Sequence, residues 1–441
     1  MNPILIFSGE ETKTLLCEGT AELKIDETSF EGSGQVWFEL LPRPHIYHLG
    51  IFKDESHSVA APLIFNPQAI LKYLFNKCEV EGFQISGRCE LGSEKTIVKW
   101  QPSKETFLGL GGDATQLSEV VFHLFNFAKI IGPRRHREQR GNLTKAIECV
   151  SLQSDFWKVD IESLFETDDR LKKLKEEGGH RLTHTGSIKR SDGTTFSGKE
   201  VNDVITMLKF FLSFAKGGWS EPICAVGYDA NSNRAWESYN SPHESWINPY
   251  SWFDPHNSQQ LTDLWKGFTA RWANEDWREA LVEVIYWYLN SNNTSRGIDA
   301  GIILTQTAIE RLSYEFAVKE KRLVEIQGFQ DLRASDKFRL LFSSLGISLD
   351  IPGEAPELQK HAKKFNWVDA PHALTEVRNS LVHPENKRRG HLDKVFYEAW
   401  NLGLWYLEMG ILAICNYSGT YGNRLKTTRS LGTVEKVPYN T

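Results

Sequence analysis

The fold of the second half of the chain is decided by residues 374–384, which read LTEVRNSLVHP. Leu374, Val377 and Leu381 recur at i, i+3 and i+7, the spacing of one face of an α-helix. The proline at the end of the stretch stops the helix. The other face carries hydrogen-bonding side chains only, namely His372, Glu376, Asn379 and His383. The pattern predicts a helix with one buried face and one uniformly polar face.

The residues around this stretch repeat with the same helical period. Further apolar stripes at helical spacing begin at Leu281, Ile298, Phe338 and Leu392. A weaker amphipathic segment covers residues 356–365, so five or six helices are joined by short connections. These features predict a helical bundle over residues 271–417, and a basic tail follows at residues 418–441.

The first half of the chain is patterned differently. Ala21, Leu23 and Ile25 alternate with polar neighbours, and similar short runs recur between Gly-, Pro- and Asn-bearing turns. One helix is expected at residues 201–215 and a hairpin at residues 223–239. We expect a mainly antiparallel β-sandwich or barrel-like domain with one or two helices over residues 1–270. The fold class is therefore α+β.

Composition narrows the function classes. The 441 residues are 40% hydrophobic and carry a net charge of −6, so binding of nucleic acid through bulk positive charge is not expected. The six cysteines form no CxxC pair, and the first residues lack the pattern of a signal peptide. The longest apolar stretch is too short to span a bilayer. We expect a cytoplasmic protein with reduced thiols.

The polar face of the predicted helix suggests chemistry. His383 precedes the proline, so it lies at the helix C-terminus, where the partial negative charge favours an imidazolium. Asn379 lies one turn earlier and can hold one ring nitrogen of this histidine. Arg378 is a neighbour on the helix surface, and a guanidinium beside a titrating histidine suits a phosphate group.

The stretch RNSLVH at residues 378–383 resembles the Arg-x4-6-His signature of HEPN-family ribonucleases. A β-rich domain before such a bundle resembles the layout of the ApeA-type HEPN proteins of bacterial anti-phage defence. The tail sequence YSGTYGNR at residues 417–424 is similar to the Gly-x-Tyr-x-Asn-Arg ending of some of these proteins.

This resemblance implies a metal-independent endoribonuclease that leaves 2′,3′-cyclic phosphate and 5′-OH ends and needs no cofactor. His383 would transfer protons, Arg378 would stabilise the charged phosphorus intermediate, and Asn379 would assist. Glu376 and Glu310 are expected to support the site. HEPN sites form where two copies meet, so a homodimer through the helical domain is implied, with higher oligomers open. The implied substrate is single-stranded RNA, with the tRNA anticodon loop favoured. The implied role is that of an abortive-infection toxin that responds to a phage-derived trigger.

Other basic and polar patterns are weaker. We expect RNA contacts at a loop after a strand, and the residues concerned are Arg134, Arg135, Arg137 and Arg140, with Arg424 in the tail. His180 and His184 have metal-ligand spacing only on a helix, and the glycines before them favour a loop, so no metal site is predicted.

Alternative interpretations stay open. His383 could be a helix-capping residue and Arg378 a salt-bridge partner of Glu310 or Glu376. The protein could be a non-catalytic HEPN-type dimer that binds nucleotide or RNA, with a β-domain that recognises a protein. Seven tryptophans between residues 219 and 277 favour an aromatic core where the two halves meet. They also allow a base-stacking platform or a carbohydrate-binding sandwich with a helical oligomerisation domain.

Overall fold

The computed structural model describes Leu5, Val59 and residues 12–53, 70–90, 94–104, 106–132, 134–383 and 389–439. The chain divides into two compact units that are each discontinuous in sequence. The first unit comprises residues 1–125, 195–201 and 222–243, and the second comprises residues 126–194, 202–221 and 244–441. No single cut at residue 270 separates these units.

The first unit contains most of the strands. They are β1 (Lys13–Ile25), β2 (Thr28–Glu39), β3 (His45–Lys53), β4 (Leu71–Phe75), β5 (Cys78–Glu79), β6 (Gly82–Glu90), β7 (Lys95–Pro102), β8 (Phe107–Leu110), β9 (Gln116–Leu117), β10 (Glu119–Phe125), β15 (Phe196–Ser197), β16 (Pro222–Tyr228) and β17 (Arg234–Tyr239). Seven of them form an antiparallel sheet in the order β5-β4-β1-β2-β3-β7-β6. Strands β10, β16, β17 and β8 are neighbours in that order and are also antiparallel.

Alternation in the sequence explains the burial of these strands. Ala21, Leu23 and Ile25 of β1 are buried, and the residues between them are half-buried. The hairpin expected at residues 223–239 is confirmed as β16 and β17. A mainly antiparallel, β-rich N-terminal region is therefore present.

The second unit adds a smaller set of strands. They are β11 (Arg134–Arg140), β12 (Leu143–Gln153), β13 (Trp157–Ser163), β14 (Leu182–Arg190), β18 (Thr420–Tyr421) and β19 (Glu435–Lys436). Strands β11 to β14 pair in sequence order with antiparallel neighbours. The expected arginine loop at residues 134–140 is wrong, since this segment is strand β11.

The helices lie mainly in the second unit. They are α1 (Thr167–Glu177), α2 (Gly198–Lys216), α3 (Gln259–Trp272), α4 (Glu275–Asn292), α5 (Ile298–Tyr314), α6 (Ile326–Asp331), α7 (Ala334–Ser344), α8 (Pro356–Phe365), α9 (Ala370–Val382) and α10 (Arg389–Ile414). A 3₁₀ turn covers Thr294–Arg296, and a π-helical segment follows α5 at Glu315–Glu320. The expected end of α2 is confirmed, because Gly217 adopts a positive φ there and its N–H bonds to Ser213. The C-terminal region is thus helical and the fold is mixed α+β.

Aromatic side chains build the core of the second unit. Phe211 of α2 meets Trp265 of α3 edge to face, and Phe214 contacts both Trp252 and Tyr288. Of the seven tryptophans in the dense region, six are buried and Trp246 is half-buried. The six buried rings belong to cores and offer no stacking platform.

Within the residues that the structure describes, no helix combines the length and the apolar character that a bilayer crossing requires.

Candidate functional site

The start of α9 is fixed by a capping carboxylate. Asp369 is the N-cap, and its Oδ1 accepts a hydrogen bond from the N–H of His372 at 2.9 Å. Arg339 of α7 grips the same carboxylate with two nitrogens, at 2.6 and 2.9 Å. The position and direction of α9 are therefore tied to α7 by a bidentate ion pair.

One face of α9 packs into the helical core. Ala373, Leu374 and Val377 are buried, as the apolar spacing predicted, whereas Leu381 is half-buried near the helix end. Gln306 of α5 donates a hydrogen bond to the backbone carbonyl of Leu374 at 2.6 Å. This face anchors the helix, so the polar face turns away from the core.

The residues that were predicted to carry the chemistry lie at the C-terminal end of α9. His383 is the C-cap residue, its side chain is exposed, and its backbone N–H bonds to the Asn379 carbonyl at 3.1 Å. The half-buried Arg378 points its Nη1 toward Asn379 Oδ1 at 3.4 Å. Within the described part of the chain, Arg378 forms no ion pair. A partly buried guanidinium without a carboxylate therefore lies on the turn that ends at the exposed histidine.

The expected supporting carboxylates are placed differently. Glu310 lies on α5 and pairs with Lys337 of α7, with 2.5 Å between Nζ and Oε1. Glu376 lies on the polar face of α9 and is half-buried. Neither carboxylate neutralises Arg378, so the alternative that makes this arginine a structural ion-pair partner of Glu310 or Glu376 lacks its contact.

The predicted RNA-contacting arginines are not all available. Arg135 and Arg137 are exposed on β11, and Arg140 pairs with Glu138 and Glu166, each at 2.6 Å. The structure gives the strand position of Arg134 but does not describe its side chain. Arg424 was expected to contact RNA, but its side chain is buried.

Neither His180 nor His184 lies on a helix, and His184 lies on a strand, whereas a loop was expected. His184 lies on β14 and is fully buried, which lowers its pKa to about 3. His180 precedes the strand, and burial followed by the charge of Lys216 lowers its pKa to about 4. Among the described residues, no group of three or more His, Cys, Asp or Glu side chains could hold a metal ion.

Several contacts around α9 were not predicted from the sequence. The Arg339–Asp369 and Lys337–Glu310 pairs join residues 30 and 27 positions apart, which no local pattern relates. The only local signal was the Asp-Ala-Pro start of α9, a favourable N-cap followed by a proline in the first turn.

Two family models each match one part of the chain, and a relative matches it along its whole length. Residues 112–252 match the model described as the YopA central domain, and residues 274–436 match the YopA C-terminal domain. The chain is 29% identical to a Bacillus subtilis (strain 168) protein described as SPbeta prophage-derived uncharacterized protein YopA, over 100% of this chain and 95% of the relative. No solved structure gives a match. The C-terminal match includes Arg378 and His383, so the candidate site lies in a region that is similar to YopA.

Proposed function

We propose that the end of α9 is the active site of a metal-independent endoribonuclease built on a HEPN-like helical bundle. The observation that carries the proposal is that Arg378, which forms no ion pair in the described residues, lies five residues before the exposed His383 at the C-terminal end of α9. A guanidinium that is not neutralised by a carboxylate attracts a phosphate, and an exposed histidine can approach the sugar beside it.

The chemistry is a transesterification of RNA. The ribose 2′-oxygen bonds to the adjacent phosphorus while its proton passes to a base, and the bond from phosphorus to the 5′-oxygen breaks as that oxygen gains a proton. Histidine suits both proton transfers because its pKa lies near neutrality. Arg378 stabilises the extra negative charge on the phosphate oxygens. The products are a 2′,3′-cyclic phosphate and a 5′-hydroxyl.

The site needs a second copy of the chain. The attacked and leaving oxygens lie on opposite sides of the phosphorus, so one histidine serves both poorly. A two-fold dimer brings a second His383 to the facing position without a second motif. We infer a homodimer that cuts single-stranded RNA, with tRNA anticodon loops as the first substrate to test, and that serves as an abortive-infection effector against phage.

The test uses the full-length protein and total tRNA. His383→Ala and Arg378→Ala should each lower cleavage by about 10²–10⁴-fold, because each removes a group that acts in the transition state. His361→Ala on α8 is the control, since this histidine lies outside the last turn of α9. Cleavage should persist in EDTA and leave cyclic phosphates.

The dimer is tested by mixing subunits. Adding Arg378→Ala chains to wild-type chains should lower activity beyond dilution, because mixed dimers carry a damaged site. Wild-type cleavage rates in His383→Ala, or tRNA binding without any cleavage, would overturn the proposal and favour the non-catalytic alternative.

A further inference from the structure

A second feature of the second unit carries an excess of cationic side chains and does not involve α9. It is a cavity of about 670 Å³, here called the cationic cavity, bounded by α1, residues 246–256 and residues 429–431. The cationic side chains that line it are Lys129, Lys172, Lys175, Lys216 and Arg429. Among its described lining residues Asp168 is the one carboxylate, and it pairs with Lys129 at 2.7 Å. The cavity therefore has a clear excess of positive charge.

Lys216 is the buried cation at the end of α2. Only 5% of the residue is exposed, and its Nζ donates to the backbone carbonyl of Trp219 at 3.0 Å. Burial lowers its pKa to about 8, and the carboxylate of Glu244 opposes that change only in part. Among the residues that the structure describes, no carboxylate forms an ion pair with its ammonium group.

Arg429 is a second cation that lines the cavity, and its side chain is half-buried. Its Nη1 is buried without a hydrogen-bond partner in the described structure, and its Nη2 reaches the Phe253 carbonyl at 3.4 Å. Burial lowers the pKa of this guanidinium, and the carboxylates of Glu408 and Asp254 act against that. A buried donor without an acceptor is costly, so the guanidinium of Arg429, a residue that lines the cavity, has hydrogen-bonding capacity left over.

The rest of the cavity wall mixes aromatic, apolar and polar side chains. Tyr250 is 64% exposed, and the Arg429 guanidinium lies 5.6 Å from its ring centroid. Trp246 lies 5.9 Å from Lys216 Nζ and also lines the cavity. Flat rings beside cations suit a ligand that has both an aromatic ring and phosphate.

We propose that the cationic cavity binds a nucleotide, with phosphate at Arg429 and Lys216 and the base against Tyr250 and Trp246. The volume falls within the range of about 300–1,000 Å³ that is typical of small-ligand sites. The exposed Lys172 and Lys175 of α1 stand at the same cavity and attract further phosphates. The proposal does not depend on the ribonuclease site, because neither Arg378 nor His383 lines this cavity.

Calorimetric titration of the full-length protein tests the proposal. The probes are the four ribonucleoside triphosphates, with adenosine and inorganic triphosphate as partial ligands. At least one triphosphate should bind saturably and raise the melting temperature, and both partial ligands should bind at least about tenfold more weakly, a difference of about 1.4 kcal/mol. The absence of saturable binding for all four nucleotides at millimolar concentration overturns the proposal, and so does adenosine binding as tightly as the nucleotide.

Variants locate the bound nucleotide. Arg429→Met and Lys216→Met should each weaken binding by about tenfold or more. If either variant fails to fold, the exposed double variant Lys172→Ala/Lys175→Ala still reports, with a several-fold loss expected from reduced phosphate attraction. Lys173→Met is the matched control, since Lys173 is exposed on the same helix but does not line the cavity. Unchanged affinity in the cavity variants would place the nucleotide elsewhere and contradict the proposal.

Discussion

At the residue scale, Arg424 of the C-terminal tail has its side chain buried in the core of the second unit. Its guanidinium contacts both oxygens of Glu408, at 2.6 and 3.0 Å, with side-chain exposures of 1% and 0%. Tyr288 donates to the same carboxylate at 2.6 Å, and burial together with Glu408 raises the pKa of this tyrosine well above its usual value. The hydroxyl therefore stays protonated, and the buried carboxylate accepts three hydrogen bonds, one from Tyr288 and two from Arg424.

Replacing one partner of this pair should be costly. Arg424→Met should lower the free energy of unfolding by about 3–5 kcal/mol, because it leaves the Glu408 carboxylate buried without a counterion. The measurement is urea unfolding followed by circular dichroism. Lys426→Met is the control, because Lys426 pairs with Glu435 at the surface and its loss should cost at most about 1 kcal/mol. Equal costs for the two variants would contradict the buried-pair interpretation.

Buried histidines predict a dependence of stability on pH. Burial lowers the pKa of His48 and His184 to about 3 and that of His123 to about 4. His123 accepts from the N–H of Leu5 at 3.1 Å while its Nδ1 faces the Ile223 carbonyl at 3.1 Å, which defines a neutral ring. Below pH 6.5 the unfolded chain takes up protons that the folded chain does not.

Stability should therefore fall as the pH drops below 6.5, and this loss should continue until the folded-state pKa is reached. Each such histidine contributes roughly 1.4 kcal/mol per pH unit. Urea unfolding at pH 7.0, 6.0 and 5.5 measures the effect in a window above the usual titration of carboxylates. His184→Phe, which keeps a ring against Phe127, should reduce the slope. An unchanged slope in that variant would show that His184 is not a source of the effect.

Sequence patterns predicted which face of a helix is buried better than they predicted which residues contact one another. The apolar spacing of α9 placed its buried face correctly, because periodicity reports directly on a local helix. The burial of Arg424 was missed because the carboxylate that holds it lies 16 residues earlier, on α10. Lys216 and Arg429 were missed for the same reason, since their cavity joins segments that are distant in sequence.

At the element scale, α9 depends on Asp369 for both its start and its attachment to α7. The single carboxylate caps the helix and receives the bidentate contact from Arg339. An asparagine at this position retains a cap acceptor but loses the charge. The two roles can therefore be separated by experiment.

Asp369→Asn should cost less stability than Asp369→Ala. The alanine variant loses the cap, worth about 1 kcal/mol, together with the ion pair. The asparagine variant loses mainly the ion pair. Unfolding in urea gives both values, and Arg339→Met should match the asparagine variant. If both Asp369 variants unfold alike, the cap contributes nothing measurable.

Helices and strands could be predicted where the same hydrophobic period continued along the whole element. The helix at residues 356–365 and the end of α2 match the sequence. Segment 134–140 was expected to be a loop, because its charged residues show no alternation of apolar and polar side chains. It is strand β11, since it pairs with β12.

At the scale of the whole molecule, each compact unit consists of segments that are separated along the chain by segments of the other unit. The second unit gathers β11 to β14, most of α2 and the helices from α3 onward. Its aromatic core joins Phe214 of α2 to Tyr288 of α4 and to Trp252. The helices therefore share a core with residues that precede position 270.

A fragment of residues 271–441 should not fold as it does in the full chain. Removing α2 and α3 uncovers Tyr288 and the other apolar side chains that they cover, which should give a loosely packed state. Loss of near-ultraviolet circular dichroism and binding of a hydrophobic dye measure this outcome. A fragment of residues 126–441 is the control and should retain native packing in its second unit. Cooperative unfolding of the shorter fragment at the full-length midpoint would show that the helices form an independent domain.

The contact between Arg424 and the Tyr250 carbonyl spans 174 residues and has a consequence during synthesis. At about 5–20 residues per second, a ribosome delivers the arginine roughly 9–35 s after the tyrosine. Until that point the nascent chain carries Tyr288, and over the last 16 residues also Glu408, without the cation that completes their core. Under the proposed activity, messages broken upstream of this codon yield chains that are easily degraded, and translation to this point becomes a condition for a working nuclease.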